Sequence, residues 1–212
     1  MKEMLKQIEK NRKGEVGRYV KTRLDEFSSF KDKPTSEWFS ELCFCLLTAN
    51  SKAKTALQIQ KELKAKGFME FPEKEVRDCI IKNKHRFHNN KAKYIVCARE
   101  HIDIKKKVQN LVKKEGQIGA RKWLKENIKG LGMKESSHFL RNVGYFELSI
   151  LDRHILKVML DAKMIPSIPK PLSEKKYVEI EKKFTDLAKK VNMSAAELDF
   201  HMWYLRTGEI LK

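Results

Sequence analysis

Long apolar runs are missing from this chain of 212 residues. None approaches the ~18 uninterrupted apolar residues that a membrane-spanning helix needs, so no membrane partner is expected. The opening stretch, MKEMLKQIEKNRK, is charged throughout and lacks the apolar core of a secretion signal, which points to a cytoplasmic protein. Cysteine is scarce. Cys43 and Cys45 fall within the apolar run LCFCLL, Cys79 and Cys97 lie apart from it, and no CxxC pair exists. That pattern disfavours a structural zinc site or an iron–sulfur cluster and reads as reduced thiols packed in an intracellular core.

Acidic residues are the other shortage. Only 28 Asp and Glu stand against 46 Lys and Arg, a formal charge of +18. A surface rich in both signs is common in heat-loving organisms, but that habit does not explain so large an excess of one sign. A net charge of this size creates a long-range field that suits a polyanion, nucleic acid first among them, with binding that weakens as salt rises.

Strands are as hard to find as cysteines, and helical periodicity dominates. Apolar positions in SEWFSELCFCLLTAN recur at three- and four-residue spacing after the start signal Pro34-Thr35-Ser36. KTALQIQKELKAKG is expected to end at Gly67 in the manner of a helix C-terminus. Helical stretches are predicted over residues 119–128 and 133–143, and several other segments begin at Ser, Asp or Asn, whose side chains accept first-turn amide protons. The one proline-rich loop, IPSIPKPL, spans residues 165–172. The expected class is all-α, built from many short helices.

The stretch KGLGMKESSHFLRNVGYFELSILDRHIL, residues 129–156, carries the chemistry. Gly130 and Gly132 flank Leu131 between two helices, a spacing that permits a tight turn and close approach of a partner to the backbone. Leu131 is expected to pin the turn to the core. The amides around Gly130–Lys134 would then sit at an open helix start, which favours an anion such as phosphate; a plain connector reads the same way from these residues alone. Lys134 lies in the first turn, where the helix dipole opposes a cation. That field favours the free amine, the form that attacks; a solvated surface lysine is the bland alternative. Asp152 follows Lys134 by 18 positions and reads as a helix N-cap, a carboxylate for catalysis, or both.

At these residues the chain resembles the helix-hairpin-helix-GPD superfamily of DNA base-excision glycosylases, whose pattern is a two-glycine hairpin, a lysine two residues on and a later aspartate. The closer likeness is to the second type of 8-oxoguanine DNA glycosylase/AP lyase, known mostly from archaea and some bacteria. FCLLTANSKAK, RFHNNKAKYI, IKGLGMKESSHFLRNVGY, LDRHIL and LRTGEILK carry it, spanning residues 44–212. The resemblance implies a two-lobed helix-hairpin-helix DNA glycosylase fold with a central cleft. One lobe would be a helical barrel of residues 34–133 ending in the hairpin, and the other would combine 1–33 with 134–212. It also implies base flipping on double-stranded DNA containing oxidised guanine. No organic cofactor or catalytic metal is implied, and a monomer, nucleoid-associated in a prokaryote, is the default.

By the same resemblance Lys134 is the nucleophile that attacks the sugar C1′, and Asp152 the carboxylate that assists it and steadies positive charge on the sugar. Lys129, Gly130 and Gly132 would grip the DNA backbone. Asn50 would fill the gap left by the flipped base, or simply turn the chain. Arg86, Phe87 and His88 would wedge the opposite strand, or join two helices with Phe87 in the core. His138, Trp203 and Lys212 would face the base; packing roles for the first two, and a frayed tail for the third, are the alternatives. Lys129 stands where the superfamily hairpin often has proline, and the C-terminal cysteine quartet of endonuclease III-like members is absent. Two rivals stay open at this point: a glycosylase of the same superfamily for another damaged base, and a non-catalytic helix-hairpin-helix DNA-binding protein.

Overall fold

Helix-forming segments account for nearly all of the regular backbone in the computed structural model, which describes residues 1–212 and contains no strand. In chain order the helices are α1 (Lys2–Lys13), α2 (Glu15–Ser28), α3 (Thr35–Thr48), α4 (Ala53–Glu70), α5 (Glu73–Lys82) and α6 (His88–Cys97). They continue as α7 (Ile104–Asn127), α8 (Met133–Asn142), α9 (Arg153–Asp161), α10 (Glu174–Lys190) and α11 (Ala195–Thr207). Short 3-10 turns at Ser29–Asp32 and Ala98–His101 complete the set. The chain divides into two units, Met1–Ser29 with Gly144–Lys212, and Phe30–Val143. The boundaries differ from the expected 34 and 134. All of α8 belongs with the central unit because it packs on α3 and α7, with Phe139 edge-on to Trp38 at 6.2 Å.

In the unit Phe30–Val143, α3 is the spine. Every residue from Trp38 to Thr48 is buried, which requires neighbours on all sides, and α4, α6, α7 and α8 supply them. Its polar groups are met: the Trp38 indole donates to Phe30 O at 2.6 Å, and Asn142 Nδ2 donates to Glu41 Oε1 at 2.7 Å. Cys43 and Cys45 are both in this core, and burial pushes the Cys43 thiol well up, so it stays protonated and inert. The expected stop at Gly67 does not occur; α4 runs on to Glu70. A Cβ at Gly67 would lie 3.0 Å from the Leu63 side chain and 3.2 Å from Phe71, so the glycine serves close packing, not helix termination. α7 is broken at Gly116, where φ is +71°, and the stretch expected over residues 119–128 lies in its second part.

In the other unit, α2 and α11 pack through Val20, Phe27 and Phe200, with Val16, Leu24, Phe146 and Ile210 around them. The Phe27 and Phe200 rings stack at 6.1 Å. Arg12 of α1 ties to α11 through Glu197 at 2.9 Å. Ser173 and Ser194 cap α10 and α11 with their hydroxyls, as the sequence suggested. His201 sits fully buried on α11, with no hydrogen-bond partner for either ring nitrogen. Burial, with help from the Arg12 charge, lowers its pKa from 6.5 to about 4.

The unfolded chain therefore takes up a proton at His201 before the fold does, and stability should fall as pH drops from 6.5 toward about 4. Urea midpoints for His201→Leu should decline less steeply over that window than those of the parent. An equal slope would assign the acid sensitivity to other groups.

Candidate active site

The hairpin begins where α7 ends. Ile128 is buried, and its carbonyl accepts the Leu131 N–H at 3.1 Å. Gly130 has φ +97°, and a Cβ there would come within 2.4 Å of the Tyr94 ring. Only glycine suits both the left-handed backbone and that close approach. Leu131 is 6% exposed and anchors the turn, as expected. Gly132 is ordinary extended backbone, φ −102°, at the N-cap of α8. One amide of the helix start is engaged by a side chain. The Gly132 N–H donates to Glu135 Oε2 at 3.3 Å, and Glu135 Oε1 stands 3.1 Å from Lys134 Nζ. The Lys134 side chain is 28% exposed, and Lys129 Nζ lies 5.9 Å from the centre of the Tyr94 ring. Lys129, Gly130, Gly132 and Lys134 thus share one small surface above α6.

Beneath it is a residue that the sequence reading passed over. Lys91 of α6 is 5% exposed, and its ammonium donates to Leu46 O at the end of α3. Burial lowers its pKa from 10.5 to about 8, with Glu135 raising it and Lys134 lowering it. The signal was present: Lys91 stands four before Ile95 on the buried face of α6. Glu135 also went unremarked, although glutamate three residues after an N-cap is a capping pattern.

A second cluster in the same unit joins three more candidates. His85 Nε2 donates to Leu47 O at 2.8 Å, so it and Lys91 close the C-terminal end of α3 with basic groups. The Arg86 guanidinium donates to Asn50 O at 3.0 Å and lies 5.3 Å from the centre of the Phe87 ring. Asn50 (φ +57°) and Phe87 (φ +61°) both adopt left-handed backbone, rare for an aromatic residue. Phe87 is 50% exposed, which rules out the core alternative. His88 opens α6. His138 is buried on α8, edge-on to Phe44 of α3 at 5.7 Å.

Asp152 belongs to the other unit, where it caps α9: its Oδ1 accepts His154 N–H at 2.9 Å and Ile155 N–H at 2.8 Å. The segment before it is stapled to α10. Tyr177 Oη accepts Leu151 N–H at 3.2 Å and donates to Ser149 O at 2.8 Å, while Glu181 Oε1 accepts Ser149 N–H at 3.1 Å. The carboxylate is therefore aimed by fixed backbone. Trp203 of α11 is half-buried, 4.6 Å from the His154 ring in an edge-on arrangement. After α11, Gly208 turns the chain at φ +71° and Ile210 packs on the Val20–Phe27–Phe200 core, leading to the partly exposed Lys212. No group of three or more His, Cys, Asp and Glu gathers as metal ligands, and no helix is long and apolar enough to cross a membrane.

The all-α frame and its hairpin are shared with the helix-hairpin-helix DNA glycosylases. The fold alone is shared with the Helicobacter pylori 3-methyladenine DNA glycosylase, at 20% identity and a TM-score of 0.57. The chain belongs to the family whose model is described as 8-oxoguanine DNA glycosylase, which matches residues 20–193. The 8-oxoguanine DNA glycosylase/AP lyase of Methanocaldococcus jannaschii is 46% identical over 99% of both chains. Its crystal structure in complex with a 15mer DNA containing 8-oxoguanine superposes with a TM-score of 0.95 over all of both chains. The 8-oxoguanine DNA glycosylase of Thermotoga maritima is 36% identical, with a TM-score of 0.91 over 100% of this chain and 99% of that one.

The two hairpin glycines should respond differently to substitution. Gly130→Ala forces a Cβ into Tyr94 and strains a left-handed backbone, costing about 1–2 kcal/mol or more. Gly132→Ala should be nearly neutral, because its φ suits any residue and its one close neighbour, at 3.1 Å, is the flexible end of Glu135. Urea unfolding distinguishes them; equal losses would contradict the assigned geometry.

Proposed function

We propose that this chain is a bifunctional 8-oxoguanine DNA glycosylase/AP lyase, with Lys134 as its nucleophile. The observation that carries the reading is full-length likeness, at a TM-score of 0.95, to an enzyme crystallised with 8-oxoguanine DNA. The charge of +18 supports a DNA partner, and the site needs no metal for amine chemistry. Work on the chromosome would place the protein in the cytoplasm, at the nucleoid.

The glycosidic bond is inaccessible inside a stacked duplex, so the damaged nucleotide is flipped out. Phe87, Arg86 and Asn50 form an exposed ridge suited to holding the opened strands apart. Lys129 and the hairpin amides hold the backbone near the lesion. The neutral Lys134 amine attacks C1′ while the bond from C1′ to the base breaks, and the base leaves with the bonding pair and gains a proton. The sugar ring then opens at C1′–O4′, leaving a Schiff base between Nζ and C1′. Loss of a C2′ proton expels the 3′ phosphate and cuts the strand, and water hydrolyses the imine to restore the lysine. Asp152, rigidly aimed by its capping bonds, stabilises positive charge developing on the sugar. Trp203 offers a ring face for the extruded base, and Lys212 a charged group at the end of the anchored tail. His138, buried edge-on to Phe44, is a further candidate to face the base.

Borohydride should trap the protein on an 8-oxoguanine duplex. Lys134→Gln should abolish trapping while duplex binding survives; undiminished trapping would move the nucleophile elsewhere. For Asp152→Asn, single-turnover cleavage should slow by about 10²-fold or more with near-normal affinity. Full activity would leave Asp152 as a helix cap only. Preferential release of oxidised pyrimidines would reassign the lesion.

A further inference from the structure

The C-terminal end of α3 is closed largely by side chains. A helix leaves its last four carbonyls without partners inside the helix, and in α3 these belong to Cys45, Leu46, Leu47 and Thr48. Thr48 Oγ1 donates to Cys45 O at 2.9 Å, and the Ser51 N–H to Thr48 O at 3.1 Å. The two carbonyls between them are met from far along the chain. The Lys91 ammonium donates to Leu46 O, and His85 Nε2 to Leu47 O at 2.8 Å. Leu46, Leu47, His85 and Lys91 are all buried, so water has little access to replace either bond.

Both side chains come from the segment that carries the ridge. Lys91 also donates its backbone N–H to Phe87 O at 2.9 Å, so one buried residue bonds the end of α3 through its side chain and Phe87 through its backbone. His85 directly precedes Arg86, whose guanidinium returns to Asn50 O at 3.0 Å. Side-chain bonds from Lys91, His85 and Arg86 thereby join the end of α3 and its following turn to the segment around Phe87. Each side of this clamp holds a left-handed residue that is not glycine, Asn50 at φ +57° and Phe87 at φ +61°. Such backbone persists only where the surrounding structure over-determines it. Asn50, Arg86 and Phe87 are themselves exposed, so the fixing comes from beneath.

We propose that Lys91 and His85 are positioning residues for opening the lesion base pair. They hold Asn50 and Phe87 in the backbone conformation that presents the ridge to the duplex, and they touch no substrate themselves. The inference deepens the proposed function and rests on that ridge parting the strands. Extruding a paired nucleotide costs more than extruding one already unpaired, and a ridge on a loose turn would yield instead of unstacking the base. The clamp therefore matters for a lesion held in a base pair and is dispensable for one presented without a partner.

The test compares single-turnover borohydride trapping on 8-oxoguanine paired with cytosine and on 8-oxoguanine in an unpaired bubble, with urea unfolding as a control for folding. Lys91→Met should slow trapping on the paired duplex by on the order of tenfold or more and leave the rate in the bubble near that of the parent. Lys91→Arg, which keeps a charged donor, should recover much of the paired rate. His85→Leu should show the same selective loss, and His85→Gln, which keeps an amide donor, a smaller one. The His85 pair decides the matter if Lys91→Met fails to fold. Equal loss on both substrates, or no loss on either, would reduce Lys91 and His85 to contacts that stabilise the fold and overturn the inference. Phe87→Ala separates the two readings. A selective loss there without one in the clamp variants sinks this inference alone, whereas no selective loss in Phe87→Ala rejects the strand-parting ridge and the inference with it.

Discussion

The left-handed turn at Gly130, seated on the Tyr94 ring, is the constraint on which the hairpin depends. At φ +97° and with no room for a Cβ, the chain can only turn there as glycine. Leu131 then drops into the core, Gly132 returns to extended backbone, and α8 starts at Met133. Lys134 enters the first helical turn as a consequence. Its place is set by a ring on α6 far away in sequence, not by its immediate neighbours.

The same arrangement concentrates charge in an unusual way. Two lysines and one glutamate lie around the start of α8, one of the lysines almost fully enclosed. A buried ammonium is costly unless partnered, and Lys91 has two offsets: the Leu46 carbonyl at the end of α3 and the Glu135 carboxylate. Its hydrogen bond also closes the α3 terminus next to the turn that carries Asn50. The helix that supports the hairpin from below thus also supports the exposed ridge of Asn50, Arg86 and Phe87. Asp152, in the other unit, is fixed by different means: two capping bonds and the Tyr177–Glu181 staple from α10.

Much of this was legible in the residues. Apolar periodicity gave the helices, the two glycines gave the hairpin, and Asp152 reads as a cap because its position before RHILKVML demands one. The sequence also placed Cys43 and Cys45 in the core, since both fall within the apolar run LCFCLL. What escaped depended on contacts distant along the chain. Gly67 looks like a helix stop, but Leu63 and Phe71 need its missing side chain for packing. The unit boundary at Val143 follows from α8 lying on α3 and α7, which no local pattern records. Phe87 has the composition of a core residue, yet its left-handed backbone turns it outward. Lys91 hides among many solvated lysines and is distinguished only by its register with Ile95.

The central claim is that one particular amine, held by the hairpin, forms the covalent link to DNA. Proteolysis of the borohydride-reduced complex, followed by mass spectrometry of the DNA-linked peptide, addresses it most directly. The account predicts the sugar remnant on Nζ of Lys134. A remnant on Lys91, on Lys129 or on the N-terminal amine would contradict it.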